Sequence, residues 1–484
     1  MASNDRAKDA MAVGGQVVQS LAHIAPAVAV VFTASLILSG ATTAAPLAIV
    51  VSCLGVIPSV YLHSKLQARW TGSGGYCSVL PPALNGSLGT AAGLLDFFYE
   101  PFVASIAIFG FIAFGLEPYI GRPLTFWEVT LFSQILLLLL YSLSRREVTF
   151  VSNLLFIFGF GEVLLFIGLA LFLIVKTPLT AASFAPIVSP ERFDLGGFGK
   201  AALFGTLMFV GFESGLSFSA QTTNSERSFR IGIWCSTMIS GLVFILSFGA
   251  VVIGLSTEGP LGHITVEQLG AMPSPYLDSI IPAAIGKSVG HLVLVVVLFL
   301  STVSCGIAAF GAGARNLFAL AKLGALPRFL TARNAAGVPL GGVRGCYLIS
   351  VLVGLLLASL DAPAMAFEIG AAFYASIAMV FYCLVSLAAL FNNATLGKSR
   401  VEKAFVTVLA LVDLIIFLSL LIISTFDYSS KKGAIAVVPC LLLGVLIATM
   451  VWAIHLSLGR PRVVARLQRP RSRSSSSPAY SVGH

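Results

Sequence analysis

Charged side chains are scarce in this 484-residue chain. Asp, Glu, Lys and Arg together make up 10% of the residues, against 57% for the hydrophobic types. A typical soluble domain is about 25% charged, so a soluble globule of this length is excluded. The same apolar composition excludes disorder except at the ends. The sequence therefore predicts an integral membrane protein.

Motifs for catalysis, metal binding and ATP hydrolysis are also missing. No Walker A, HExxH or GxSxG pattern occurs. The seven cysteines are scattered without a CxxC pair, as expected of small apolar fillers. The first fifteen residues lack the features of a cleaved signal peptide. We therefore expect no enzyme, no cofactor and no metal site.

Long apolar runs fill most of the chain. A membrane-crossing helix needs about 20 mostly apolar residues, and runs of that kind far exceed the segments of outer-membrane barrels. The fold class predicted is an all-α polytopic membrane protein with 12 transmembrane helices. The runs are 17–40, 44–63, 88–115, 125–143, 150–175, 201–220, 232–255, 288–312, 345–360, 364–391, 404–425 and 434–456.

Basic residues indicate the orientation of these spans. With twelve spans and a cytoplasmic N-terminus, 22 of the 29 Lys and Arg residues fall on the cytoplasmic side, as the positive-inside rule requires. We therefore expect both termini in the cytoplasm and a multi-pass protein of the cell (cytoplasmic) membrane. The net charge of +9 then reflects contact with the lipid bilayer and does not indicate nucleic acid.

Two spans contain residues that interrupt a helix. In the first span, Pro26 within Ile24–Ala27 removes a backbone donor. In the sixth, Gly211 and Gly215 flank Glu213. An interruption is tolerated in lipid only where protein or a water-filled cavity satisfies the freed groups. Because the starting points of these two spans are five helices apart, an odd number, we predict two inverted five-helix repeats, a pattern typical of secondary transporters.

This pattern divides the chain into six parts. We expect a cytoplasmic N-terminus, a first repeat, an extracellular loop, a second inverted repeat, two added helices and a disordered cytoplasmic tail. Their predicted bounds are 1–16, 17–176, 177–200, 201–391, 392–456 and 457–484.

Acidic residues within the spans are the main candidates for coupling to protons. A carboxylate at mid-membrane costs about 2.5–3.5 kcal/mol on insertion scales, so such residues should face the bundle interior. Glu213 and Glu162 are the first candidates. Asp96 and Glu100, four residues apart on one helix face, are predicted to take a proton, meet a cationic substrate group or pair structurally.

Five further residues within the spans also attract attention. Glu368 lies near the outer end of span ten, where water is within reach, and Asp413 in span eleven is expected to be structural. His23 is either a neutral hydrogen-bonded histidine or a titrating switch. Phe209 and Phe212 either pack or form a lid over the site.

Four segments in order resemble the amino acid–polyamine–organocation family of permeases over nearly the whole chain. They are Thr71–Cys77, with paired glycines before Tyr76; Leu94–Pro101; Phe209–Ser214, with a glycine–aromatic–glutamate break; and Ala314–Pro327. The resemblance implies a five-plus-five inverted repeat with two extra helices. It also implies a substrate held between the interrupted spans.

By that resemblance, the substrate carboxylate would bind at Ala25, Pro26 and Ala27, and Ile24 would be a further substrate-binding residue. The substrate amine would contact Phe209, Val210, Gly211 and Phe212, with Glu213 as the family's sixth-span carboxylate. The sequence departs from the family at the first break, which lacks the usual glycines. Ala220 and Gln221 also stand where two acids often precede Asn-Pro.

The predicted function is an amino acid permease that works by alternating access, as a secondary active, proton-coupled symport. Its predicted partners are a small-molecule substrate, an amino acid or amine, and H⁺. A polyamine or organic-amine transporter is the alternative within transport. A non-transporting membrane sensor or scaffold with the same fold is the alternative outside it.

Overall fold

A computed structural model describes residues 2–469 except 71, 73, 147, 189–193, 222–224, 336, 361 and 431–432. Every regular element among these residues is helical. The α-helices are α1 Ala2–Ile24, α2 Pro26–Ala41, α3 Ala45–Arg69, α4 Tyr76–Leu84, α5 Gly86–Leu95, α6 Glu100–Phe111, α7 Glu117–Ile120, α8 Phe126–Ser144, α9 Val148–Lys176, α10 Ala181–Val188, α11 Leu195–Leu207, α12 Ser225–Gly254, α13 Val266–Ala271, α14 Ile281–Ile285, α15 Lys287–Leu323, α16 Leu340–Ala358, α17 Pro363–Phe391, α18 Asn393–Leu396, α19 Arg400–Ser430, α20 Val438–Gly459 and α21 Pro461–Gln468.

Eleven helical stretches of the described chain are long and apolar enough to cross a membrane. The first, Val13–Arg69, has 57 residues and would be about 86 Å long as one helix, nearly three times a bilayer core. It is instead two crossings, because the chain turns at Thr42, where φ is 50°, and α2 and α3 both pack against α11. The described part of the chain therefore contains twelve crossing helices, in agreement with the sequence.

The central helices are separated from the lipid by an outer set. Helices α1, α2, α6, α11, α15 and α17 pack together in the middle of the bundle, and α12 lies against α1, α3 and α9. Helices α8, α19 and α20 turn apolar side chains outward; Leu131, Ile415 and Leu443 are each about 60% exposed. An apolar outer surface of this extent is what contact with lipid requires.

The sixth span begins earlier than predicted. It starts at Leu195 and not at 201, because the side chain of Asp194 accepts hydrogen bonds from Gly196 and Gly197 and caps the helix. The preceding loop also contains α10.

The tail predicted to be disordered from 457 is helical to Gly459 and again over Pro461–Gln468. There Leu467 is buried and the amide of Gln468 donates to the carbonyl of Gly86. Residues 470–484 of that predicted tail lie outside the described residues.

Helices α15 and α16 approach closely enough that only a glycine fits at position 342. A Cβ added to Gly342 would overlap the carbonyl oxygen of Ala314. We expect Gly342→Ala to lower the melting temperature of the purified protein in detergent, because overpacking against backbone costs about 1–3 kcal/mol.

Gly444→Ala is the matched control, since a Cβ there meets no atom within 4 Å. That variant should melt at the wild-type temperature or slightly above it, because alanine favours helix. Equal melting temperatures for Gly342→Ala and the wild type would contradict the close approach.

Candidate functional site

The first span is interrupted at a single residue. Ala25 has φ 49° and ψ 71°, in the left-handed region, and separates α1 from α2. Hydrogen bonds continue on both sides, because Ala25 N–H donates to Leu21 O at 3.0 Å and Ala29 N–H donates to Ala25 O at 2.9 Å. Pro26 begins α2, where its missing N–H costs little. The predicted break is therefore present but only one residue wide.

Glu162 occupies the positive end of α2. Its Oε2 atom accepts a hydrogen bond from Ala27 N–H at 2.9 Å and another from the Ser301 hydroxyl at 2.6 Å. The side chain is only 3% exposed. The N-terminus of a helix carries a partial positive charge, which stabilises a nearby carboxylate. One carboxylate therefore joins the fifth span, the eighth span and the first break.

The second break lies where α11 ends. Residues 208–211 form turns, and a 3₁₀ helix follows from Phe212. Gly211 has φ 110°, a conformation that side chains rarely adopt, and its N–H donates to Glu213 Oε2 at 3.1 Å. A Cβ on Gly211 would lie 2.8 Å from Cδ2 of His23. The two breaks thus lie in direct contact, with no room for a side chain between them.

Glu213 is held by donors from three parts of the chain. Besides Gly211 N–H, the hydroxyl of Tyr99 donates to its Oε1 at 2.5 Å and that of Tyr382 to its Oε2 at 3.1 Å. Glu213 is 2% exposed. The ring of Tyr99 stacks on that of Tyr374 with centroids 4.6 Å apart. Aromatic side chains therefore enclose the carboxylate and also supply its hydrogen bonds.

Asp96 and Glu100 do not share a helix face, contrary to the prediction. The third span leaves the α-helical path at Asp96–Phe98 and resumes at Glu100, where Pro101 in the first turn of α6 disfavours a continuous helix. Asp96 Oδ2 accepts a hydrogen bond from Cys77 N–H at 3.3 Å. Glu100 instead lies beside His23, with Oε2 3.7 Å from Nε2.

A group of buried polar atoms without partners lies beneath the first break. Oε2 of Glu100 and Nδ1 of His23 make no hydrogen bond, and both side chains are 3% exposed. The Tyr374 hydroxyl is 3.4 Å from His23 Nε2. Buried polar atoms normally find partners, so unused acceptor capacity on an acid marks this place for a ligand or a proton.

A cavity of about 170 Å³ lies above these groups. Its inner end is formed by His23, Ile24, Ala25, Val210 and Tyr374. Its mouth lies at the end of the bundle where α2 and α19 end and α17 begins. Leu36, Tyr428 and the exposed Glu368 stand there, in keeping with the expectation that Glu368 reaches water. Most of the wall between is apolar.

The structure separates the predicted binding residues into two sets. Ile24, Ala25 and Val210 line the cavity, whereas the other six are not part of its lining. Phe209 packs edge-on against Phe244 and Phe212 stacks on Tyr382, so both serve as packing in this conformation. The remaining four are Pro26, Ala27, Gly211 and Glu213.

Asp413 accepts a hydrogen bond from Ser386 at 2.7 Å and is fully buried between α17 and α19. It lies outside this cavity lining, as its expected structural role requires.

Sequence reasoning missed several polar aromatic residues. Nε2 of His63 forms a hydrogen bond of 2.9 Å with the Tyr76 hydroxyl. The His63 ring also packs edge-on against that of Phe212, with centroids 5.2 Å apart. Tyr374 and Tyr382 on α17 were missed as well. Tyrosines of membrane proteins concentrate at the lipid–water interfaces, so tyrosines in the middle of a span were the available signal.

Comparison with known proteins identifies the family of this chain. The family model described as amino acid permease matches residues 15–464. The chain belongs to the amino acid permease family. A comparison with curated proteins finds no match. Because it belongs to this family, the permease transports a small molecule across a membrane. The family covers amino acids and organic cations in general.

Removal of one donor to Glu213 tests the arrangement of the permease site. We expect Tyr99→Phe to lower the melting temperature, because a buried carboxylate that loses a hydrogen bond costs about 1–3 kcal/mol. Tyr141→Phe is the control, since that ring packs against Tyr347 and Arg145 away from the acid. A Tyr99→Phe protein as stable as this control would show that the contact contributes nothing.

Proposed function

We propose that this permease is a secondary active transporter that couples movement of an amino acid or organic amine to protons by alternating access. The observation that carries the proposal is the cavity that ends where the two breaks meet, with one carboxylate at each break. Interrupted helices that pair near mid-membrane are typical of secondary transporters. The two repeats, 17–176 and 201–391, are part of this proposal.

The cavity mouth is proposed to face outward. The distribution of basic residues supports a cytoplasmic location for both termini, and the mouth then lies at the extracellular end of α2. The conformation described is accordingly the outward-open state. Substrate enters between α2 and α17 and reaches His23 and Tyr374 at the cavity floor.

Protonation of Glu213 or Glu162 is proposed to change the contacts at the breaks. An ionised carboxylate accepts several hydrogen bonds, whereas a protonated one is also a donor. A proton on Glu162 weakens its bond to Ala27 N–H, and a proton on Glu213 weakens its bonds to Gly211 and Tyr99. Either change loosens a contact between the breaks and favours inward opening.

The membrane potential supplies further driving force. One charge moved through 100 mV is worth about 2.3 kcal/mol, enough for roughly 50-fold accumulation.

Reconstitution into proteoliposomes tests the proposal. We expect counterflow of at least one member of a panel of amino acids and amines, and faster net uptake when the outside is acidic. Movement of no panel member by a well-folded preparation would favour the sensor or scaffold alternative.

Glutamine variants separate coupling from binding. We expect Glu213→Gln and Glu162→Gln to lose accumulation driven by a pH gradient at least tenfold while they retain counterflow. Asp413→Asn, which alters a buried acid outside the cavity lining, should keep both activities. A Glu213→Gln protein that still concentrates substrate in response to a proton gradient would remove Glu213 from the coupling role.

A further inference from the structure

The backbone donors that a substrate carboxylate would need at the two breaks already have acceptors within the protein. Ala27 N–H donates to Glu162 and Gly211 N–H donates to Glu213. Pro26, which stands between Ala25 and Ala27, has no N–H to offer. A substrate carboxylate would therefore have to displace a buried glutamate that is itself well bonded.

The electrostatic surroundings of the cavity floor also disfavour an anion. Glu100 is not part of the cavity lining but lies beside His23, which forms the floor, and Val103, one turn along α6, lines the cavity. Oε2 of Glu100 has no hydrogen-bond partner and lies 3.7 Å from His23 Nε2. An incoming carboxylate would be opposed by the ionised form of Glu100, because like charges repel strongly where the dielectric constant is low.

The same features favour a cation. An ammonium group has three donors and no acceptor, which matches an unpartnered carboxylate oxygen and the neighbouring Tyr374 hydroxyl. Tyr374 lines the cavity, and its ring is held by stacking on Tyr99. Above the floor, the wall formed by Val28, Val103 and Ala107 suits an apolar body.

We infer that the cavity binds a primary amine with an apolar body and no carboxylate. The ammonium group lies toward Glu100 and Tyr374 at the cavity floor. The apolar body lies along the wall toward the mouth. Glu162 and Glu213 keep the hydrogen bonds that they accept from the backbone N–H groups at the breaks. This inference rests on the proposed function only in taking the cavity as the place where substrate binds.

Ligand pairs that differ only in the carboxylate test the inference. The pairs are phenethylamine and phenylalanine, tyramine and tyrosine, and 3-methylbutylamine and leucine. Binding to the purified full chain is measured by calorimetry. We expect the amine of each pair to bind at least tenfold more tightly than the amino acid. Equal or tighter binding of the amino acids overturns the inference, as does a lack of binding by all three amines.

A matched pair of variants locates the ammonium group. Glu100→Gln should weaken amine binding at least tenfold, because the amide offers no negative charge. Asp413→Asn changes a buried acid outside the cavity lining and should alter amine affinity less than twofold. Unchanged amine binding by Glu100→Gln overturns the assignment. If that variant does not fold, the paired ligands on the wild-type chain still decide.

Flux measurements distinguish this inference from the proposed function. Amino acids that bind and exchange across proteoliposomes would uphold transport and overturn the amine assignment. Amines that bind but never cross the membrane would uphold the ligand class and overturn transport.

Discussion

The need to satisfy backbone groups freed inside an apolar bundle determines much of this structure. An unpaired N–H or C=O in hydrocarbon costs several kcal/mol, and both interrupted spans expose such groups. At the first break the acceptor comes from Glu162 on α9, and at the second from Glu213 in the break itself. These two carboxylates are in turn held by Ser301, Tyr99 and Tyr382. The contacts around the cavity follow from this requirement.

The sequence predicts the helical framework well because membrane insertion imposes a simple rule. Length and apolarity determine the spans, and Pro26 and Gly211 mark the two interruptions in the chain itself. Local exceptions arise from polar contacts that hydropathy does not register. Asp194 starts α11 early, and Gln468 holds the last described helix against Gly86. The 3₁₀ segment Asp96–Phe98 likewise divides a run that reads as one helix.

The candidate site is harder to predict because its contacts join distant parts of the chain. Glu162 is identified as a buried acid from sequence, but its partner Ala27 is 135 residues away. Tyr382 is 169 residues from Glu213. A single sequence indicates that such groups must find partners and gives no means of assigning them. Its motifs therefore locate the breaks correctly. They do not reveal that the protein's own carboxylates accept the hydrogen bonds of the backbone N–H groups at the breaks.

The narrowness of the first break has a mechanical consequence. Because only Ala25 departs from the helix, α1 and α2 behave as two rods connected by one pair of backbone torsions. Helix α2 has 16 residues and is about 24 Å long, so a rotation of about 20° at Ala25 sweeps its far end by roughly 8 Å. A small torsional change deep in the bundle is thereby amplified into a displacement of the cavity rim comparable to the diameter of a helix.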